Sequence, residues 1–272
     1  MSLATIGKET VEITNRGWYT TAAGARVSIQ EAVGNAVEKT VLYRPEDYAS
    51  LEVRECPGAL ARFEVTPETT GQAARRLVEA EGAGQVAALN FASAKNPGGG
   101  FLGNARAQEE DLARCSALYA CQIGHPAYYD ANRAVSSMLY TDHLLYSPEV
   151  PFFRDERLEL LATPFKVSVL TSPAPNAGEA ARRGESPLVR ATLERRAAQV
   201  LRVAAHHRTD TLVLGAWGCG VFRNDPTVVA AVFRELLTSP PFARAFTRVV
   251  FAIYDRSESR GTLKAFERAF VF

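Results

Sequence analysis

The chain has 272 residues, of which 47% are hydrophobic and 22% charged, and its formal net charge is +1. The length suits one large domain or two small ones, and the apolar fraction allows a full core. So small a net charge excludes a broad cationic surface as the main means of holding a polyanion, and with it direct nucleic-acid binding. Any nucleotide-like ligand must then be gripped by a local site.

Residues 1–16 read as a helix or a loosely held arm, and GWYTTAAGARVSI (17–29) as a hairpin turning at Ala23-Gly24, with Trp18, Val27 and Ile29 supplying apolar contacts. Ile29 to Val37 suits a short helix and TVLY (40–43) a strand, followed by an irregular polar stretch from Pro45 to Pro57. From residue 61 strands and helices alternate. ARFEV is a strand, and Thr66 or Thr69 caps a helix whose Ala73, Ala74, Leu77 and Val78 share one face. VAALNF (86–91) is nearly all apolar, as in a strand buried on both faces. A helix is expected over 108–123, with Leu112, Cys115, Leu118, Tyr119 and Gln122 at helical spacing and Cys115 and Cys121 as packing groups. In 124–165, Pro148, Pro151 and Pro164 are expected to break any long element.

FKVSVLTSPAP (165–175) is a strand ending in a Pro-rich loop with Asn176, and 177–187 a solvated loop carrying Arg182 and Arg183. Ser186-Pro187 starts a long helix, with serine at the cap, proline at the first helical position, and its arginines on a wet face. TLVLGAWGCGVFRND (211–225) is strand then loop, and Asp225-Pro226 opens a helix to about Leu237. RVVFAIYD (248–255) is a last strand and 258–271 a last helix. No repeat and no Gly/Ser-rich linker divides the chain, and the alternation points to a three-layer α/β/α sandwich.

Two glycine-rich loops follow buried strands. The first runs from Asn96-Pro97 into Gly98, Gly99 and Gly100, and leads to Gln108, Glu109, Glu110 and Asp111 at a helix start. Consecutive glycines carry a large entropy of ordering and sit where a main chain bends sharply or lies against a ligand. The acidic turn alone could be a well-capped helix N-terminus. The second loop, GAWGCGVF, places Gly215, Gly218 and Gly220 between strand and helix, where backbone N–H groups can cradle a diphosphate. It is neither a P-loop, lacking GKS/T, nor a full GxGxxG fingerprint.

GGG, a short spacer and QEE resemble the signature of poly(ADP-ribose) glycohydrolases. In size and order of elements the chain is similar to their bacterial-type branch, a macrodomain with a mixed central sheet and an N-terminal extension, here about residues 1–60 of one domain. That resemblance implies hydrolysis of the ribose–ribose O-glycosidic bond. Glu110 would be the general acid that protonates the leaving 2′-oxygen and then the base that activates water. Glu109 would hold the ribose and the linkage, and Gln108 would support the loop. Asn96 would meet a ribose hydroxyl. Gly218, Cys219, Gly220 and Val221 would contact phosphate, and Phe222 would press the terminal ribose towards the catalytic carboxylate. Asn176 and Asp255 are weaker candidates, and Asp255 suits equally well the cap of the final helix. Cys219 lacks a nearby histidine to activate it, so its main-chain N–H is the useful group. A helix N-terminus lowers a carboxylate pKa and acidic neighbours raise it, which leaves the protonation of Glu110 open.

The resemblance requires no metal or other cofactor, and the ligand is poly(ADP-ribose) or ADP-ribose. Four cysteines without a CxxC pair and four histidines complete no zinc pattern. Reduced thiols in a cytoplasmic protein, a polar N-terminus without a signal region, and no apolar run near membrane length complete the expectation, with a monomer as the assembly. Three other readings remain: a module that binds ADP-ribose without cleaving it, a hydrolase of another ADP-ribosyl linkage, and a plain structural domain.

Overall fold

A computed structural model of the chain describes residues 1–56 and 60–270. Pro57, read as the end of an irregular stretch, and Val271, read as the end of the last helix, lie outside the described residues. Helix α1 (Leu3–Arg16) begins where the Thr5 amide donates to the Ser2 hydroxyl at 3.2 Å, and stops at Gly17, whose φ is +74°. The hairpin of β1 (Trp18–Thr20) and β2 (Arg26–Ser28) buries Tyr19, while the guanidiniums of Arg16 and Arg26 both stack on the Trp18 ring.

Seven strands make one mixed sheet in the order β3 (Val41–Tyr43), β6 (Leu144–Arg154), β7 (Leu160–Ser172), β5 (Val86–Phe91), β8 (Thr211–Leu214), β9 (Arg248–Ala252), β4 (Arg62–Thr66). The strands from β7 to β4 are parallel, and β6 and β3 are antiparallel. Alternation along each central strand divides the core in two. Ala87, Leu89, Leu212, Leu214, Val249 and Phe251 meet α8 (Ser186–His206), α9 (Pro226–Leu237) and α10 (Gly261–Phe270). Val86, Ala88, Val213, Val250 and Ala252 meet α1, α2 (Gln30–Glu38), α3 (Thr70–Arg75), α4 (Gln108–Cys115) and α5 (Leu118–Ile123). The expected three-layer sandwich is therefore observed. Thr69, not Thr66, caps α3 through a capping box with Gln72.

Several expectations are corrected. The helix over 108–123 is two helices, because Ser116 turns extended (φ −144°, ψ 177°) and bridges to Phe152 on β6. Pro148, Pro151 and Pro164 lie inside β6 and β7. β3 covers only residues 144–146 of β6, and β5 only 168–172 of β7. The prolines thus fall outside the stretches paired with β3 and β5, and Pro148 falls at a register shift between Ser147 and Val150. Residues 126–134 form α6 (Pro126–Ala134), and the loop expected at 177–187 contains α7 (Ala177–Arg182). Glu185 rather than Ser186 flanks α8. One arginine of α8 is not on a wet face: Arg196 is 1% exposed. No described helix is long and apolar enough to cross a membrane.

Candidate active site

The carboxyl ends of β5, β8 and β9 open into a cleft of about 940 Å³, a volume usual for small-molecule sites. Helix α4 is stitched to the end of β5 by its first residue. Gln108 Nε2 donates to the Leu89 carbonyl at 2.7 Å and to Thr70 Oγ1 at 3.1 Å, and Gln108 Oε1 accepts from the Phe91 amide at 2.8 Å. This fixes where the next two residues point.

Glu109 is 3% exposed. Its Oε1 accepts from Asn90 Nδ2 at 3.1 Å and Gln122 Nε2 at 3.0 Å, and its Oε2 from the Ser93 amide at 2.6 Å. Burial pushes its carboxyl up to about 7, while the three donors pull the other way. Three of the four lone-pair positions of the carboxylate are taken, which leaves one for a ligand hydroxyl.

Glu110 is held differently. Its Oε1 accepts from the Gly100 amide at 2.9 Å, and its Oε2 is buried without a protein partner. The glycine run is shaped around this carboxylate. Gly99 has φ +58°, and a Cβ there would stand 2.5 Å from Glu110 Oε1 and 3.2 Å from Glu109 Oε2. Gln122 ties the same loop to Glu109, because its Oε1 accepts from the Gly98 amide at 2.8 Å while its Nε2 donates to the carboxylate.

The second loop lines the same cleft as Gln108, Glu109 and Glu110. Trp217 is fully buried and donates its Nε1–H to the Ser172 carbonyl at 3.1 Å, anchoring the loop below. Gly218 has φ +71°, and a Cβ there would strike Asn224 Nδ2 at 2.4 Å and Ala174 Cβ at 2.5 Å. A Cβ on Gly220 would meet nothing, and Val221 is 84% exposed at the rim. The Phe222 ring rests on Tyr140, with centroids 5.9 Å apart. Burial pushes the Cys219 thiol up to about 12, so it is a neutral thiol at physiological pH and no nucleophile.

The microbial-type PARG catalytic-domain family model matches residues 7–155. Poly(ADP-ribose) glycohydrolase from Thermomonospora curvata is 48% identical, covering 98% of this chain and 99% of that one, with a TM-score of 0.94. The chain belongs to the microbial-type poly(ADP-ribose) glycohydrolase family. Two further structures of the family resemble it. The T. curvata enzyme bound to the inhibitor ADP-HPD is 49% identical over 98% of this chain and 99% of its own, with a TM-score of 0.92. The Deinococcus radiodurans enzyme in complex with ADP-ribose is 49% identical over 90% and 99%, with a TM-score of 0.83. A comparison with curated protein sequences returned no match.

As a glycohydrolase-family site, the arrangement gathers some of the residues singled out from sequence and separates others. Gln108, Glu109, Glu110, Gly218, Cys219, Gly220, Val221 and Phe222 all line the cleft. Gly98 and Gly100 spend their amides on Gln122 and Glu110 rather than on the open volume. Asn96 is exposed, and its main chain makes the turn that receives the Gly99 amide at 3.0 Å. Asn176 caps α7 by accepting from the Glu179 amide at 3.1 Å. Asp255 lies at the cleft edge and accepts from the amides of Thr262 at 2.9 Å and Leu263 at 3.3 Å at the start of α10.

Asn90, Ser93, Gln122 and Arg114 were not singled out. Asn90 had a visible signal, a polar side chain inside an apolar strand, and it is fully buried. Gln122 looked like one more position on a helix face. Among the described residues no group of three or more His, Cys, Asp or Glu is placed to hold a metal.

Proposed function

We propose that this chain hydrolyses the ribose–ribose O-glycosidic bonds of poly(ADP-ribose), releasing ADP-ribose, with Glu110 as general acid and base. The observation that carries the assignment is the asymmetry of the two glutamates. Glu109 has both oxygens engaged by Asn90, Gln122 and Ser93, whereas Glu110, which also lines the cleft, keeps a buried Oε2 that no protein group occupies.

Cleavage of a glycosidic bond develops an oxocarbenium-like centre and an alkoxide leaving group. In this reading Glu110 donates a proton from Oε2 to the leaving 2′-oxygen. The carboxylate that results, steadied by the Gly100 amide, then takes a proton from the attacking water. Glu109 uses its one remaining lone pair for a ribose hydroxyl and keeps strand, loop and helix in register. The amides of the Gly218–Phe222 loop suit the diphosphate, whose charge lies near the cationic centre. Phe222, backed by Tyr140, presses the terminal ribose from the other side. The described elements before residue 60 belong to the same unit, since β3 is part of the main sheet. All four cysteines are unpaired, which supports a cytoplasmic setting.

The non-catalytic binding module is the second reading, and the free Oε2 of Glu110 weighs against it. The test is incubation with poly(ADP-ribose), following ADP-ribose release by wild type and Glu110→Gln. Release by the wild type alone, with ADP-ribose binding retained in the variant, supports the assignment. Equal release by both places the chemistry elsewhere, and binding without release by either favours the module.

A further inference from the structure

The first glycine loop carries an unresolved demand. Gly98-Gly99-Gly100-Phe101-Leu102-Gly103-Asn104 contains four glycines in seven residues, and such a segment has more backbone freedom to lose than almost any other. Yet the site needs its Gly100 amide at one place, on Glu110 Oε1. Turns within the loop supply part of the order: Phe101 N–H donates to Gly98 O at 3.1 Å and Gly103 N–H to Gly100 O at 2.9 Å. Neither fixes the loop against the rest of the protein.

Besides Gln122, which takes the Gly98 amide, and Tyr119, whose ring packs on Phe101 at 4.7 Å, two further elements do. Arg114 on α4 is 3% exposed, and its Nη2 donates to the carbonyls of Ala105 at 2.8 Å and Gly103 at 3.2 Å. On the outer side, α1 lies directly on the loop. Gly7 is buried, and a Cβ there would stand 2.5 Å from the Phe101 carbonyl oxygen and 3.4 Å from Leu102 Cα. One turn along, the buried Thr10 hydroxyl donates to the Arg114 carbonyl at 2.7 Å. Thr10 and α1 are themselves secured by Arg154, which is 4% exposed. Its Nη2 pairs with Glu9 at 2.7 Å and its Nε reaches Thr10 Oγ1 at 3.3 Å. A buried arginine on each side, linked through one threonine, is a large commitment of charge to holding one short loop.

We propose that Gly7 and Thr10 of the N-terminal helix are positioning residues for catalysis, acting through the Phe101–Ala105 segment and Arg114 to hold the Gly100 amide on Glu110. Neither touches the substrate. Gly7 acts by the clearance it leaves for the Phe101 carbonyl, and Thr10 by locking α1 to the last turn of the catalytic helix. The inference rests on Glu110 being the catalytic carboxylate.

Gly7→Ala is the direct test. Alanine is the better helix former, so α1 itself is not weakened by the change, but its Cβ must displace α1 or the loop. Displacement of about an ångström at a catalytic loop lowers turnover by roughly tenfold to a hundredfold. The expected result is that fall in kcat on poly(ADP-ribose), with the Kd for ADP-ribose within about twofold to threefold of wild type. Thr10→Val should lower kcat in the same way, and Thr10→Ser, which keeps the hydroxyl, should restore it. The Thr10 pair also carries the test if Gly7→Ala does not fold. Wild-type kcat in Gly7→Ala, or equal impairment of Thr10→Ser and Thr10→Val in step with a lower Tm, overturns the proposal. Glu110→Gln run alongside separates the two ideas. If it still turns over, the reading of Glu110 has failed; if it is inactive while Gly7→Ala is fully active, only the brace has failed.

Discussion

Glu109→Gln probes the electrostatics of the site with little change of shape. Glu109 is 3% exposed, and burial lifts its carboxyl from an ordinary 4.5 to about 7. An acid whose pKa is raised on folding binds more protons folded than unfolded between those values. Its contribution is therefore present below about pH 4.5 and lost as pH rises through 7. The shift corresponds to about 3 kcal/mol, most of it lost between pH 5 and pH 7. Glutamine cannot ionise, so the variant escapes that loss. It meets another cost, because all three partners of Glu109 are donors and one would face the new amide N–H₂. Asn90 can reverse, since its Oδ1 lacks a partner, but Gln122 cannot reverse without releasing the Gly98 amide. That mismatch costs about 1–2 kcal/mol at every pH. The variant is thus expected to be less stable than wild type at pH 4 and more stable at pH 8, by about 1–2 kcal/mol in each case. Urea unfolding at a series of pH values measures it. Parallel stability curves across that range would refute the reasoning.

Two more outcomes follow from the buried groups. Arg196 donates to the carbonyls of Pro173 and Leu139 at 2.8 Å each and pairs with Asp142 at 3.0 Å, beside the segment whose Tyr140 backs Phe222. Arg196→Met should cost about 3 kcal/mol in urea unfolding and should weaken ADP-ribose binding measured by calorimetry, with kcat affected less than KM. The Cys219 thiol, held near 12, should react with iodoacetamide at neutral pH more slowly than free cysteine, and Cys219→Ala should keep turnover within about threefold.

The parts of the site legible in the sequence were those in which a residue type does unusual backbone work. Gly99 and Gly218 stand in left-handed conformations against close neighbours, and the strands that lead to them are apolar apart from Asn90 and Thr211. Glu109 and Glu110 were visible beside the glycines, but their different duties were not. That difference comes from Asn90, Ser93 and Gln122, which meet Glu109 from 13 to 19 residues away. The break at Ser116 was hidden for the same reason, since its cause is Phe152 on a distant strand. The prolines of β6 and β7 misled because proline forbids a ladder hydrogen bond only on a side where a neighbour exists. Arg196 looked like a surface arginine because the acceptors that surround it come from two segments distant in sequence, 139–142 and Pro173.

Those same prolines bear on how the protein keeps to itself. Beyond β3 and β5 the β6–β7 hairpin overhangs its own sheet, and an overhanging ladder is a template on which another chain can add a strand. Pro148, Pro151 and Pro164 each remove an N–H from its strands, the Pro151 carbonyl is taken by the Ala117 amide at 3.1 Å, and an exposed Glu149–Lys166 pair sits on the hairpin. The residues that obscured the strands are thus the ones that make the hairpin a poor seed for aggregation.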